Sequence, residues 1–197
     1  MKNIKTSILT SLMIVSFSNF LTADDVVETL QEAIKSYENA EYSLAVEDIN
    51  YALQLIQQKK GQGLESYLPE PLTGWNAKKA KSQTAGAGMM GGGIMTSRKY
   101  TKGSSKVEIE IITDSPMMQG MMGIFTNPMF ATADGGKLER INREKAIVKY
   151  DEDKEKGEIS LAIGKRFFIK VEGHKVTLDE LKAYAKSIDF RKLKKLP

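Results

Sequence analysis

The residues with the most distinctive chemistry in this chain are methionines. Met117, Met118, Met121 and Met122 crowd into the segment Ser115-Pro-Met-Met-Gln-Gly-Met-Met-Gly-Ile-Phe125. Ser115 suits an N-cap, Pro116 the first helical position, and Asn127-Pro128 a stop just beyond, so the spacing predicts one short helix. At about 100° per residue, the four methionines, Ile124 and Phe125 fall within an arc of roughly 160°, leaving Gln119, Gly120 and Gly123 on the other side. Thioethers on one face can fill an irregular core, offer a deformable patch to an apolar ligand, lipid or protein, or bind a soft ion such as Cu(I). Helical spacing would bring Met117 beside Met121 and Met118 beside Met122. Met89, Met90, Met95 and Met129 could add further thioethers. Against copper, soft-metal sites often enlist His or Cys, and this chain has one and none.

Other candidate chemistry has weaker support. Gly86-Ala-Gly-Met-Met-Gly91 spells a dinucleotide fingerprint, but that site needs a buried strand before the glycines and a helix after them. Here lysines, Ser82 and Gln83 precede, and Gly92-Gly93 with an expected strand follow, so Thr84 to Gly93 reads as a loop carrying Met89 and Met90. His174 is the sole histidine and is expected in a turn, with no Gly-x-Ser-x-Gly elbow to serve it. Glu108 and Glu110 share one face of an expected strand, a spacing commoner on wet surfaces than in glycosidases. Catalysis is therefore not expected.

The segments that must hold these residues begin with a basic start, Lys2 and Lys5, an apolar run from Ile8 to Leu21, and Ala23 before Asp24-Asp25. This is the layout of a secretory signal peptide over residues 1–23. The apolar run is shorter than the roughly 20 residues of a membrane span, so the chain from Asp24 onward is expected in the periplasm or outside the cell, not as an integral membrane protein. With no cysteine, disulfides, thiolate metal sites and cysteine nucleophiles are excluded. The net charge of +4 owes two units to Lys2 and Lys5. The basic cluster Arg191, Lys192, Lys194 and Lys195 reads as charge at a helix end, so nucleic acid is not an expected partner.

Residues 24–62 carry two helical stripes, Val26, Val27, Leu30, Ala33, Ile34, Tyr37 and then Tyr42, Ala45, Val46, Ile49, Ala52, Leu53, Ile56, around a turn at 38–41. Such a hairpin must lean on the rest of the chain, on a second copy or on a partner. Lys59 to Gly63 reads as a break. Residues 63–197 then read as an α+β domain. Leu68-Pro-Glu-Pro-Leu-Thr-Gly-Trp75 is extended by its prolines, and Trp75 is either a core plug at the first strand or a wall of a ligand site. Strand patterns recur over 95–100, 107–113, 137–141, 145–150, 158–163 and 167–171, joined by short turns that favour antiparallel pairing. Thr177-Leu-Asp-Glu180 is a capping box, and Leu181, Tyr184, Ala185 and Ile188 give its helix an apolar face. The expected fold is α+β, an antiparallel sheet covered by helices and preceded by a helical hairpin.

The blocks Leu68 to Trp75, Gly91-Gly-Gly93 into Arg98-Lys-Tyr100, Asp114-Ser-Pro116, Asn127-Pro-Met129, Gly136 to Ile141 and Ala183-Tyr184 with Ile188-Asp-Phe190 resemble an uncharacterised family of small exported bacterial proteins. The order of strands, inserted helix and closing helix is similar to the PsbP-like fold, whose members are mostly non-catalytic accessory or binding proteins. The hairpin's small and aromatic spacing resembles a single tetratricopeptide unit. The looser resemblance implies a non-catalytic accessory or binding protein, and no cofactor is expected. Met117, Met118, Met121, Met122, Phe125, Met89, Met90 and Trp75 are the expected contacts for an apolar, lipid or protein partner in the cell envelope, with Cu(I) as the alternative. Oligomeric state is left open.

Overall fold

The computed structural model describes residues 23–84, 93–115, 118, 120, 123 and 135–196. The expected signal peptide lies outside them apart from Ala23. So do Met89, Met90, Met117, Met121, Met122 and Phe125. The fold is α+β, with two N-terminal helices, an eight-stranded antiparallel sheet and two C-terminal helices. The chain divides into two compact units, one up to Ile49 and one from Asn50 onward.

In the first unit, α1 (Ala23–Glu38) turns through Ala40, whose φ is +61°, into α2 (Tyr42–Glu65). The buried positions on α1 are small: Thr29, Ala33 and Ser36, spaced four and three residues apart. On α2 the buried Ala45 and half-buried Asp48 are the inward positions of this unit. Ser36 Oγ donates to Asp48 Oδ2 at 3.2 Å, and the rings of Tyr37 and Tyr42 meet at 5.6 Å across the turn. The buried positions are thus occupied by small or polar residues. The larger side chains of the expected apolar stripes are left outside them.

The second unit begins inside α2. The expected break at Lys59 to Gly63 is not there, because Gly61 serves close packing and not termination. A Cβ on Gly61 would come within 2.9 Å of Ser82 Cβ, and Ser82 Oγ donates to the Gly61 carbonyl at 2.7 Å. Leu64 and Leu68 then enter the domain core. The boundary expected at 62/63 thus falls within this helix.

The strands are β1 (Asn76–Ala77), β2 (Lys81–Thr84), β3 (Ile94–Lys102), β4 (Ser105–Thr113), β5 (Lys137–Ile141), β6 (Glu144–Asp151), β7 (Lys156–Ile163) and β8 (Phe167–His174). Their order is β1-β3-β4-β8-β7-β6-β5, with β2 also on β3. Six match the expected strands. β1 follows Trp75, where a first strand is expected, while β2 is too short and polar to show a period. The β5–β6 hairpin closes through Asn142 and Arg143, both at positive φ (+49° and +72°), the backbone of a two-residue primed turn.

One face of the sheet carries Val107, Ile109 and Ile111 of β4, Ile159, Leu161 and Ile163 of β7, and Ile169 and Val171 of β8, all buried. They belong to one core with Leu181, Tyr184, Ala185 and Ile188 of α3 (Leu178–Ser187) and Phe190 and Leu193 of α4 (Phe190–Lys194). Removing each large aliphatic side chain from water stabilises by about 1.5–3 kcal/mol. The expected capping box forms at α3: Glu180 N–H donates to Thr177 Oγ1 at 3.2 Å, and Thr177 N–H to Glu180 Oε2 at 3.0 Å. Beneath α3, Gly157 and Gly173 face each other across β7 and β8. A Cβ on Gly157 would lie 2.6 Å from the Tyr150 ring and 2.8 Å from the Lys149 carbonyl, and one on Gly173 only 2.4 Å from Val176 Cγ2. The two glycines make the slot that Leu181 fills.

The segment before β1 is tied down by β3. Tyr100 Oη donates to the Pro69 carbonyl at 2.7 Å, and Arg98 donates to that carbonyl and to Glu70 Oε1, both at 3.0 Å. Two of the sequence blocks singled out above therefore meet in space.

Candidate functional site

The structure places Met118 in a helical turn whose N–H donates to the Ser115 carbonyl at 3.0 Å, in keeping with the expected helix start. Its side chain is 6% exposed and packs with Ile147 and Phe168, flanked by Ile112 and Ala162. These residues form an apolar corner on the sheet face opposite α3. Met118 is thus engaged in covering the sheet, and its thioether is not presented to a ligand or metal. The remaining methionines of the expected patch, with Phe125, lie outside the described residues.

Trp75 is a core residue. It is buried, stands edge-on to Tyr184 at 5.1 Å between ring centroids, and has the Lys102 ammonium 5.4 Å from its ring. Of its two expected roles, the structure places it in that of the plug, where the aromatic pair adds to area burial.

The rest of the face opposite α3 is charged. Lys170 lies among Glu110, Glu158 and Glu172, bonding Glu172 Oε2 at 2.8 Å and reaching Glu158 at 3.8 Å. The Lys170 hydrogen bond, the largest influence, holds Glu172 down at about 2, whereas burial pushes Glu110 up. Glu108 pairs with Lys99 at 3.2 Å. Glu108 and Glu110 therefore belong to a cross-strand ion lattice. Among the described residues, no cluster of three or more His, Asp or Glu is arranged to hold a metal ion.

His174 stands at the edge of this lattice. Its Nε2 is 3.1 Å from Glu172 Oε1, and Ser104 lines the same cleft. Sequence spacing gives no hint of this Ser, His and Glu grouping, because β3, β4 and β8 assemble it. Among the described residues Ser104 makes no hydrogen bond to His174, and Glu172 is shared with Lys170 and Lys156. The histidine is not oriented toward a nucleophile in the manner of a triad.

A further surface feature lies on the helices. Of twelve exposed large apolar side chains among the described residues, eleven are on α1 and α2 and the other is Leu138. Tyr37, Tyr42, Ile34 and Val46 are 66%, 60%, 59% and 58% exposed. Single exposed apolar residues are ordinary, whereas a concentration of this kind is unusual on a protein surface. The hairpin's charge is equally one-sided. Residues 24–58 hold eight carboxylates and one lysine, net −7, while residues 59–197 hold 26 Lys and Arg against 17 carboxylates, net +9. Counting charge by segment would have shown this contrast from sequence, which the whole-chain value conceals. No helix among the described residues is long and apolar enough to cross a membrane.

Comparison with protein-family models, curated proteins and solved structures finds no match for this chain.

Proposed function

We propose that this chain is an exported, non-catalytic binding protein of the cell envelope whose helical hairpin docks a partner protein. The observation that carries the reading is the set of eleven exposed large apolar side chains on α1 and α2. A lone hairpin of this type cannot cover its own outer face, and stacked helical repeats solve the problem by adding neighbours. Charge selects among the partner classes. A surface with net −7 is repelled by anionic lipid headgroups, so a bilayer is disfavoured, and a protein with an apolar, basic-rimmed groove or helix is favoured. The expected methionine surface takes second place, since Met118 is already packed under Ile147 and Phe168.

The test installs a photo-reactive residue at Ile34 or Val46, with Lys137 as a control position, and irradiates the purified chain in an envelope extract. The expected result is a saturable adduct with a basic protein at the hairpin positions only. Excess wild-type chain should compete it away, and an Ile34→Asp/Val46→Asp variant should not. Equal labelling from Lys137, or no hairpin adduct, would contradict the proposal.

A further inference from the structure

A cleft of about 970 Å³ opens at the sheet end where the β3–β4 turn, the start of β7 and the end of β8 converge. Its cations are Lys78, Lys99, Lys106, Lys154, Lys156 and Lys175, with the His174 ring beside them, against two lining carboxylates, Glu108 and Glu172. Lys99 is paired with Glu108, Lys156 with Glu172 at 3.5 Å, and Lys154 with Asp151 at 2.7 Å. Lys78, Lys106 and Lys175 have no carboxylate within ion-pair distance among the described residues.

The strand register sharpens the point. Lys106 of β4 lies directly opposite His174 of β8, which lies directly opposite Lys156 of β7. Facing positions on neighbouring strands are close, so Lys106 and Lys156 flank the His174 side chain on one sheet face. One register step inside the cleft, the Gly157–Gly173 slot under Leu181 packs β7 and β8 closely, so the lysines stand on a well-packed sheet end.

We infer that this cleft binds a multiply charged phosphate-type oxyanion, held chiefly by Lys78, Lys106 and Lys175. The choice of cation indicates the ligand chemistry. No arginine lines the cleft, so the planar two-pronged recognition that suits carboxylates and phosphates alike is missing, and an anion is held there by point charges. Ammonium groups act as compact point charges and favour an anion of high charge density. Ser104 and Thr101, both lining the cleft, can add neutral hydroxyl donors. This site is separate from the hairpin and does not depend on the docking proposal.

The test titrates the purified chain with inorganic tripolyphosphate at low ionic strength, in parallel with vesicles of anionic and of neutral phospholipid. Saturable binding is expected, weakened by added salt as screening requires. Replacing Lys78, Lys106 and Lys175 together by Gln should weaken it roughly tenfold, the combined effect of three exposed ion pairs. A variant with Lys137, Lys145 and Lys192 replaced by Gln makes the same change in net charge and should bind within about twofold of wild type. Thermal midpoints of both variants report that folding is intact. Lysine-dependent tripolyphosphate binding would support a free oxyanion as ligand. Lysine-dependent binding to anionic vesicles alone would support the same chemistry on a lipid headgroup. Absence of both, or equal loss in the two variants, would overturn the inference.

Discussion

The helical hairpin and the sheet domain handle apolar surface in opposite ways. In the sheet domain, β-branched and aromatic side chains are buried between one sheet face and the C-terminal helices, and the charged residues form a cross-strand lattice on the other face. In the hairpin the buried positions go to Ala33, Ser36 and Ala45, while Ile34, Tyr37, Val46 and Ile49 face solvent. The difference teaches that the domain's apolar residues serve stability, whereas the hairpin's are left exposed and available for the association proposed above. The net charges, +9 and −7, accentuate the division.

The contrast is broken most forcefully in the core. Leu161→Ala empties a fully buried position in the centre of β7 and should cost about 2–5 kcal/mol, read as a lower midpoint in urea unfolding. The same truncation at Ile34 should change stability by no more than about 0.5 kcal/mol. A large loss at Ile34 would mean that the hairpin is held by its own large side chains. Next comes Gly157→Ala, whose new methyl meets the Tyr150 ring and the Lys149 carbonyl, so overpacking should cost about 1–3 kcal/mol in the same assay. Gly63→Ala, on a helical position with nothing within 4 Å, should instead stabilise by about 0.4–1 kcal/mol.

The smaller effects lie in the ion lattice and have opposite signs. Glu172 titrates in the folded chain at about 2, below its ordinary value of 4.5. Its contribution to stability is thus fully present above pH 4.5 and is lost as pH falls toward 2. Glu110 is shifted upward by burial, so its ionised form opposes folding, and that penalty is relieved as pH falls through its raised value. At neutral pH, Glu172→Gln should therefore destabilise, whereas Glu110→Gln should be neutral or stabilising. Denaturant midpoints measured from pH 7 down to pH 3 distinguish them, and a shared sign would show that the lattice acts only through total charge.

Much of the fold is legible in the sequence where period and caps agree. The alternation of Val107, Ile109 and Ile111 with Glu108 and Glu110 marks β4 with one wet face, and Thr177 to Glu180 marks the start of α3. Reading fails where distant partners decide. Gly61 looks like a helix stop until Ser82 is seen against it, and β2 is a strand only because β3 offers it an edge. The site is less legible for the same reason. Ser104, His174 and Lys78 are far apart in the chain and share a cleft only through the sheet order. For the hairpin, helical spacing identifies apolar stripes but not which stripe closes the seam. Here the small residues occupy the seam, and the large ones remain outside.

The most direct test of this division is hydroxyl-radical footprinting of Tyr37, Tyr42 and Tyr51, all exposed hairpin residues, on the purified chain alone and after incubation with envelope extract. The account predicts ready oxidation of all three in isolation, with Tyr100 and Tyr184 protected throughout, and loss of labelling on the hairpin when extract is present. Protection of the hairpin tyrosines in the isolated chain, or unchanged labelling in the extract, would contradict it.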